Sequence, residues 1–178
     1  MARYAAFFAS INVGGNRLLM AELRDALARE EFDDVETVVA SGNVLFSHDE
    51  RPSEGLTEKL AYVLRDRFGI DTFAAVRSRE EVAEAISGNP FSGKGEDKIV
   101  HTHFLSGQPE RAAFDTMVED YAVRGPETLA LGDRALYVDY VEGVGNSKLT
   151  GAFIERRLGC RGTARNMRSL QRILDKMD

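Results

Sequence analysis

The stretch YAAFFASI at residues 4–11 constrains this chain more than any other. It is apolar without polar alternation, the pattern of a strand covered on both faces. It stops at Asn12, too soon for a membrane span or for the apolar segment of a secretory signal. A strand of this kind commits the chain to a layered fold with material on each side of a sheet. At 178 residues the chain has room for one domain or two small ones.

The segments after that strand set the topology. Gly14 and Gly15 break it. Residues 20–29 then carry Met20, Leu23 and Leu27 at helical spacing. Residues 35–40 and 43–47 read as strands joined at Ser41-Gly42, a hairpin signal. Leu56, Leu60, Val63, Leu64 and Phe68 form a second helical stripe, and Gly69 stands where a C-terminal cap belongs. Residues 71–76 close the series as a strand. The order β-α-β-β-α-β is that of a ferredoxin-like unit, with both helices on one face of an antiparallel sheet.

Ser78 caps a short helix over residues 79–86, and residues 87–97 (SGNPFSGKGED) have linker chemistry. The pattern then resumes: a strand at 99–105, a helix at 110–121, a hairpin at 128–131 and 135–141 across Gly132-Asp133, a helix at 147–158, an extended piece near Thr163, and a closing helix at 166–177. The expected fold class is therefore α+β: two ferredoxin-like (βαββαβ-type) subdomains, their antiparallel sheets packed together, plus a C-terminal helix. The expected boundaries are 1–77 for the first subdomain, 78–98 for a helix and linker, and 99–178 for the second subdomain with its helix. The duplication is one of topology, because residue-level self-similarity is not evident.

Charge narrows the partners. The formal net charge is −6, with local +4 over residues 155–178 and −10 over the rest. An acidic body makes nucleic acid an unlikely partner, because phosphate contacts supply most nonspecific affinity. Phe7, Phe8 and Phe46 read as core rather than as base-stacking platforms. The single cysteine, Cys160, cannot form an internal disulfide, which points to the cytoplasm. No membrane association is expected, and oligomeric state is not legible.

Several constellations bear on chemistry. Asn12, Gly14 and Gly15 come after the first strand, where adjacent glycines let backbone N–H groups converge on an anion, although a tight turn needing positive φ is the favoured explanation. The spacing lacks G-x-G-x-x-G, so a dinucleotide fold is disfavoured. Residues 143–150 (GVGNSKLT) lead into a helix with Ser147 as candidate N-cap and Lys148 in its first turn, chemistry suited to a phosphate, though not a Walker A motif. Arg165 and Asn166 stand at the entrance of the last helix, where a guanidinium can make a bidentate anion contact. On that helix Met167, Leu170, Leu174 and Met177 form the inward stripe, with Arg168, Arg172 and Lys176 opposite and solvated. Ser41 and Asn43 belong to a turn that register alone decides whether to bring near Asn12. His101 and His103 share a strand face as two metal ligands would, but no second ligand cluster accompanies them, so no metal or cofactor is expected. Arg157 and Arg161 beside Cys160 are a weak signal for a lowered thiol pKa.

INVGG at residues 11–15, SGNV at 41–44, NPF at 89–91, SKL at 147–149 and TARN at 163–166 together resemble the bacterial domain-of-unknown-function family 1697. The resemblance implies two ferredoxin-like subdomains and an uncharacterised function, and brings no catalytic residues. The family commonly has Arg-Gly before INVGG and Trp after TARN, where this chain has Ala9-Ser10 and Met167. The expected function is binding of a small phosphorylated or carboxylated ligand at an anion-binding cleft lined by Asn12, Gly14, Gly15, Ser41, Asn43, Ser147, Lys148, Arg165 and Asn166. An enzyme using the same cleft lacks an evident general base. An interaction or oligomerisation module would pair an edge strand between chains.

Overall fold

The computed structural model describes residues 1–9, 18–39 and 42–178. It is an α+β protein whose described residues form two compact units, 1–83 with 172–178, and 84–171. The division falls within one helix near residue 83 and within the last helix near residue 171.

The first unit runs β1 (Ala2–Phe8), α1 (Met20–Ala28), β2 (Asp33–Thr37), β3 (Asn43–His48), α2 (Ser53–Phe68) and β4 (Ala74–Ser78), then enters α3 (Arg79–Ser87). Its sheet has the order β2-β3-β1-β4 with every neighbour antiparallel. Tyr4, Ala6 and Phe8 of β1 join Val44, Phe46, Ala74 and Val76 in one core with Leu23, Leu27, Leu56, Leu60, Val63 and Leu64 of the two helices. Strand alternation sends Ala5, Phe7, Leu45, Ala75 and Arg77 to the opposite face, and these are buried too. The unbroken apolar run of the first strand has this cause: neither of its faces meets water. β1 ends at Phe8, earlier than the sequence predicts, and residues 10 and 11 of the predicted strand lie outside the described residues.

Local chemistry accounts for the helix ends. Gly69 adopts φ 64°, and its N–H donates to Arg65 O, closing α2 as expected. Ser78 accepts from Glu81 N at 3.1 Å while Glu81 Oε1 accepts from Ser78 N at 2.9 Å, a reciprocal box that starts α3. β2 stops at Thr37 rather than at residue 40, because Val39 turns to φ 66° and leaves the sheet.

The second unit repeats the plan: β5 (Val100–Leu105), α4 (Arg111–Tyr121), β6 (Thr128–Gly132), β7 (Ala135–Asp139), α5 (Gly151–Leu158) and β8 (Gly162–Asn166), then enters α6 (Met167–Lys176). Its sheet order, β6-β7-β5-β8, matches that of the first unit strand for strand. Leu105, Leu136, Val138 and Tyr140 face Phe114, Met117, Tyr121, Ile154 and Leu158 in its core. The piece predicted near Thr163 is a full strand, paired antiparallel with β5 through His101↔Asn166 to Leu105↔Gly162. On α6 and at the residue just past its end, the buried apolar residues are Met167, Leu170, Ile173 and Met177; Ile173, not Leu174, completes the stripe. Arg168, Arg172 and Lys176 are exposed, as predicted.

Candidate functional site

The loop between β7 and α5 holds a connected set of polar contacts. Tyr140 is buried at its start. Val141 comes next with φ 54°, and Glu142 N donates to Tyr140 O, so the chain makes a γ-turn centred on a β-branched residue in the left-handed region. That geometry is rare and strained. Asp139 Oδ1 holds the turn by accepting from Val141 N at 3.0 Å.

Beyond it, Gly143 takes φ 95°, and Val144, Gly145 and Asn146 are exposed. Ser147 is not the N-cap of α5. Its hydroxyl donates to Glu127 Oε1 at 2.7 Å and accepts from Leu149 N at 3.0 Å, and Leu149 is pulled into the core. The helix begins at Gly151, capped by Thr150, whose Oγ1 accepts from Phe153 N at 3.2 Å. The correction has a plain cause: a Ser hydroxyl bonds as readily to a residue two ahead as to a helix start. Lys148 is exposed, and its ammonium meets no hydrogen-bond or ion-pair partner among the described residues.

Glu127 anchors this loop from below. Tyr121 OH donates to its Oε2 at 2.7 Å, opposite the Ser147 bond to Oε1. Burial works to raise the Glu127 pKa, but the two hydroxyls outweigh it and hold the carboxyl below its ordinary value. Glu127 carries no signal in the sequence, because its partners lie six and twenty residues away.

The two histidines of β5 do share a face, both against the Tyr140 ring, with centroids 4.9 Å (His101) and 6.3 Å (His103) away. His103 Nε2 lies 3.0 Å from Tyr140 OH. Burial, with the neighbouring His101, pushes the His103 pKa down to about 3, and burial lowers that of His101. Both imidazoles are therefore neutral at pH 7. Among the described residues no group of His, Cys, Asp and Glu is arranged to hold a metal ion.

Arg165 directly precedes Asn166, the residue that caps α6, but it is held in a strand rather than free at the helix mouth. It lies on β8 opposite Thr102, on the sheet face turned from the helices, where burial brings its pKa down to about 10. Its Nη1 donates to Thr163 Oγ1 and Ala164 O, both at 2.8 Å. Asn166 ends the strand and caps α6, its Oδ1 accepting from Ser169 N at 2.8 Å. Asn43 is buried at the start of β3, paired with Phe7. Asn12, Gly14, Gly15 and Ser41 lie outside the described residues. Asn89, of the NPF segment, is buried with Oδ1 accepting from Phe91 N at 2.9 Å and Nδ2 without a partner among the described residues. Cys160 also departs from expectation: burial raises its pKa, and Arg157, one of the two expected perturbing bases, is ion-paired to Asp120.

In the first unit a groove of about 420 Å³ lies where α2 and α3 begin, lined by Tyr4, Arg51, Ser53, Ser78 and an acidic rim of Glu50, Glu54, Glu80 and Glu81. Tyr4 OH donates to Arg51 O at 2.9 Å and accepts from Arg51 N at 3.0 Å. No motif marks it, since the strand order alone brings these segments together.

The strands, helices and their order define a two-sheet α+β protein in which no described helix is long and apolar enough to cross a membrane. The chain belongs to the family described as protein of unknown function (DUF1697), whose model matches residues 1–137. A solved structure, that of conserved bacterial protein SP0830 from Streptococcus pneumoniae, is similar over 99% of each chain with a TM-score of 0.69 at 21% identity. That likeness carries the fold. No curated protein matches the chain.

Proposed function

We propose that the loop joining β7 to α5 binds a small phosphorylated or carboxylated ligand, with Lys148 as its charged contact and the Gly143–Ser147 backbone as its cradle. One observation carries the reading: a β-branched residue, Val141, is held in the left-handed region at the mouth of this loop. Backbone strain of this kind, of order 1–3 kcal/mol, persists where surrounding structure imposes it and clusters at ligand clamps. Asp139 and the Glu127–Ser147–Tyr121 bonds supply that imposition. The exposed ammonium of Lys148 and the open glycine backbone supply the donors. Each unit fits the ferredoxin-like type, which the strand order 2-3-1-4 supports, and a single part-buried thiol fits a cytoplasmic setting.

The test is an NMR titration of the intact protein with inorganic phosphate, pyrophosphate and citrate. Amides of residues 143–150 are expected to shift saturably with at least one of them, and Lys148→Ala to weaken that binding about tenfold or more. Amides that stay still with every probe would refute the assignment.

A further inference from the structure

We infer that β6 is a docking edge for an extended peptide of another protein, apolar at alternate positions and flanked by basic residues. The inference is independent of the anion loop.

β6 ends its sheet, and β7 is the one strand paired with it among the described residues; Gln108 Nε2 reaches only the terminal Gly132 O, at 3.2 Å. The register fixes which backbone groups it leaves open. Gly132 pairs with Ala135 across the two-residue turn Asp133-Arg134, and Ala130 and Thr128 pair with Tyr137 and Asp139. In an antiparallel ladder hydrogen-bonded and non-bonded pairs alternate, beginning with the bonded pair that closes a two-residue turn. The N–H and C=O of Leu129 and Leu131 therefore point out of the sheet. Their side chains pack only partly on the core of the unit, so the edge offers apolar surface together with backbone donors and acceptors.

The equivalent edge of the first unit is closed to such use. β2 reads DDVET, with a register shift between Asp33 and Glu36 and Asp34 at φ 49°. Charge and a bulge are the usual means by which an edge refuses a partner. β6, TLALG, has neither charge nor proline nor bulge.

Charge selects the occupant. Glu127 precedes the strand, and the hydroxyls of Tyr121 and Ser147 favour its ionised form. Asp133 comes just after it, exposed, and Asp139 stands across from Thr128; Arg134 is the adjacent base, in the turn. A second copy added antiparallel, with Leu129 of each chain opposite Leu131 of the other, sets Glu127 of each against Asp133 of the other. That repulsion disfavours self-pairing. An extended peptide with lysine or arginine at its ends meets the same two acids favourably, while its backbone completes the bonds of Leu129 and Leu131.

Amide hydrogen exchange of the intact protein tests this, with a short synthetic peptide bearing valines at alternate positions between terminal lysines. Exchange at Leu129 and Leu131 is expected to slow about tenfold or more at saturation. The same peptide with terminal glutamates is expected to bind far more weakly, as is one N-methylated on the edge-facing backbone. Asp133→Lys, which leaves Glu127 as the remaining acid, is expected to remove most of the preference for the basic peptide without altering the fold. The inference is overturned if no peptide slows those amides, or if acidic and basic versions act alike. Protection that rises with protein concentration alone would overturn it in favour of a second copy.

Discussion

Lowering the pH should destabilise this protein through His103 in a window set by its burial. The imidazole sits between β5 and the Tyr140 ring, its Nε2 3.0 Å from the Tyr140 hydroxyl, and its pKa lies at about 3 against an ordinary value near 6.5. Protons thus favour the unfolded chain at every pH between those values. The stabilisation is fully present above about pH 6.5 and is lost progressively as pH falls toward about 3. At pH 5 the unfolded histidine is charged and the folded one is not, a difference of roughly 1.5 pH units or about 2 kcal/mol. His101, also lowered by burial, adds in the same direction. Urea unfolding at pH 7.5 and pH 5 measures the loss, and His103→Gln, which keeps a neutral hydrogen-bonding group beside the Tyr140 hydroxyl, is expected to lose about 2 kcal/mol less between the two. In parallel, the His103 ring proton resonance should show no inflection above about pH 4.5. An inflection near pH 6.5, or a variant that loses as much stability as the parent, would refute the reasoning.

Other substitutions probe the loop and the edge strand. Val141→Gly should raise stability by about 1 kcal/mol, because release of left-handed strain exceeds the added chain entropy, and thermal unfolding would register it. Ser147→Ala removes the donor to Glu127 and the acceptor for Leu149 N; it should cost about 1–2 kcal/mol in chemical denaturation and raise the Glu127 pKa in a carboxyl-carbon NMR titration. Gly132→Ala places a Cβ 2.6 Å from the buried Tyr137 ring and should destabilise by about 1–3 kcal/mol, with a perturbed Tyr137 ring resonance as its local sign.

How much of the fold and the loop is legible in the sequence depends on the range of the interaction. Helix stripes such as Leu56, Leu60, Val63 and Leu64, and the Gly69 cap, are local, and the periodicity of the chain reveals them. So is the Ser78 cap, whose partner is three residues on. The first strand announces burial on both faces through its lack of alternation. Ser147 misleads because a hydroxyl before an apolar run suits both a helix cap and the tight turn it makes, and only its long-range partner, Glu127, decides between them. Arg165 is only partly legible for a related reason: Thr163 marks an extended piece, but Gly162 and Ala164 give little β signal, and pairing with β5 rather than propensity carries the strand through Arg165 to the helix cap. The strain at Val141 and the open edge of β6 are products of register, which no window of sequence encodes.

The clearest sign that one plan was used twice lies in residues that share almost no identity. Arg77 and Arg165 hold the same place: each is on the fourth strand of its unit, opposite Ala5 or Thr102 of the first, on the face away from the helices. Each turns Nη1 back onto the carbonyl of the residue before it, Val76 O at 2.9 Å and Ala164 O at 2.8 Å. Each is succeeded at once by a residue whose side-chain oxygen caps a helix, Ser78 for α3 and Asn166 for α6. Sequence comparison of the halves misses this, since VRS and ARN agree at a single position. The constraint is chemical rather than literal: a long cation that satisfies its own strand's carbonyl, then an acceptor that opens a helix. A buried guanidinium is costly to retain when an apolar residue would fill the same volume, so its presence at both equivalent positions marks a shared structural device, one that ties the fourth strand of each unit to the helix that follows.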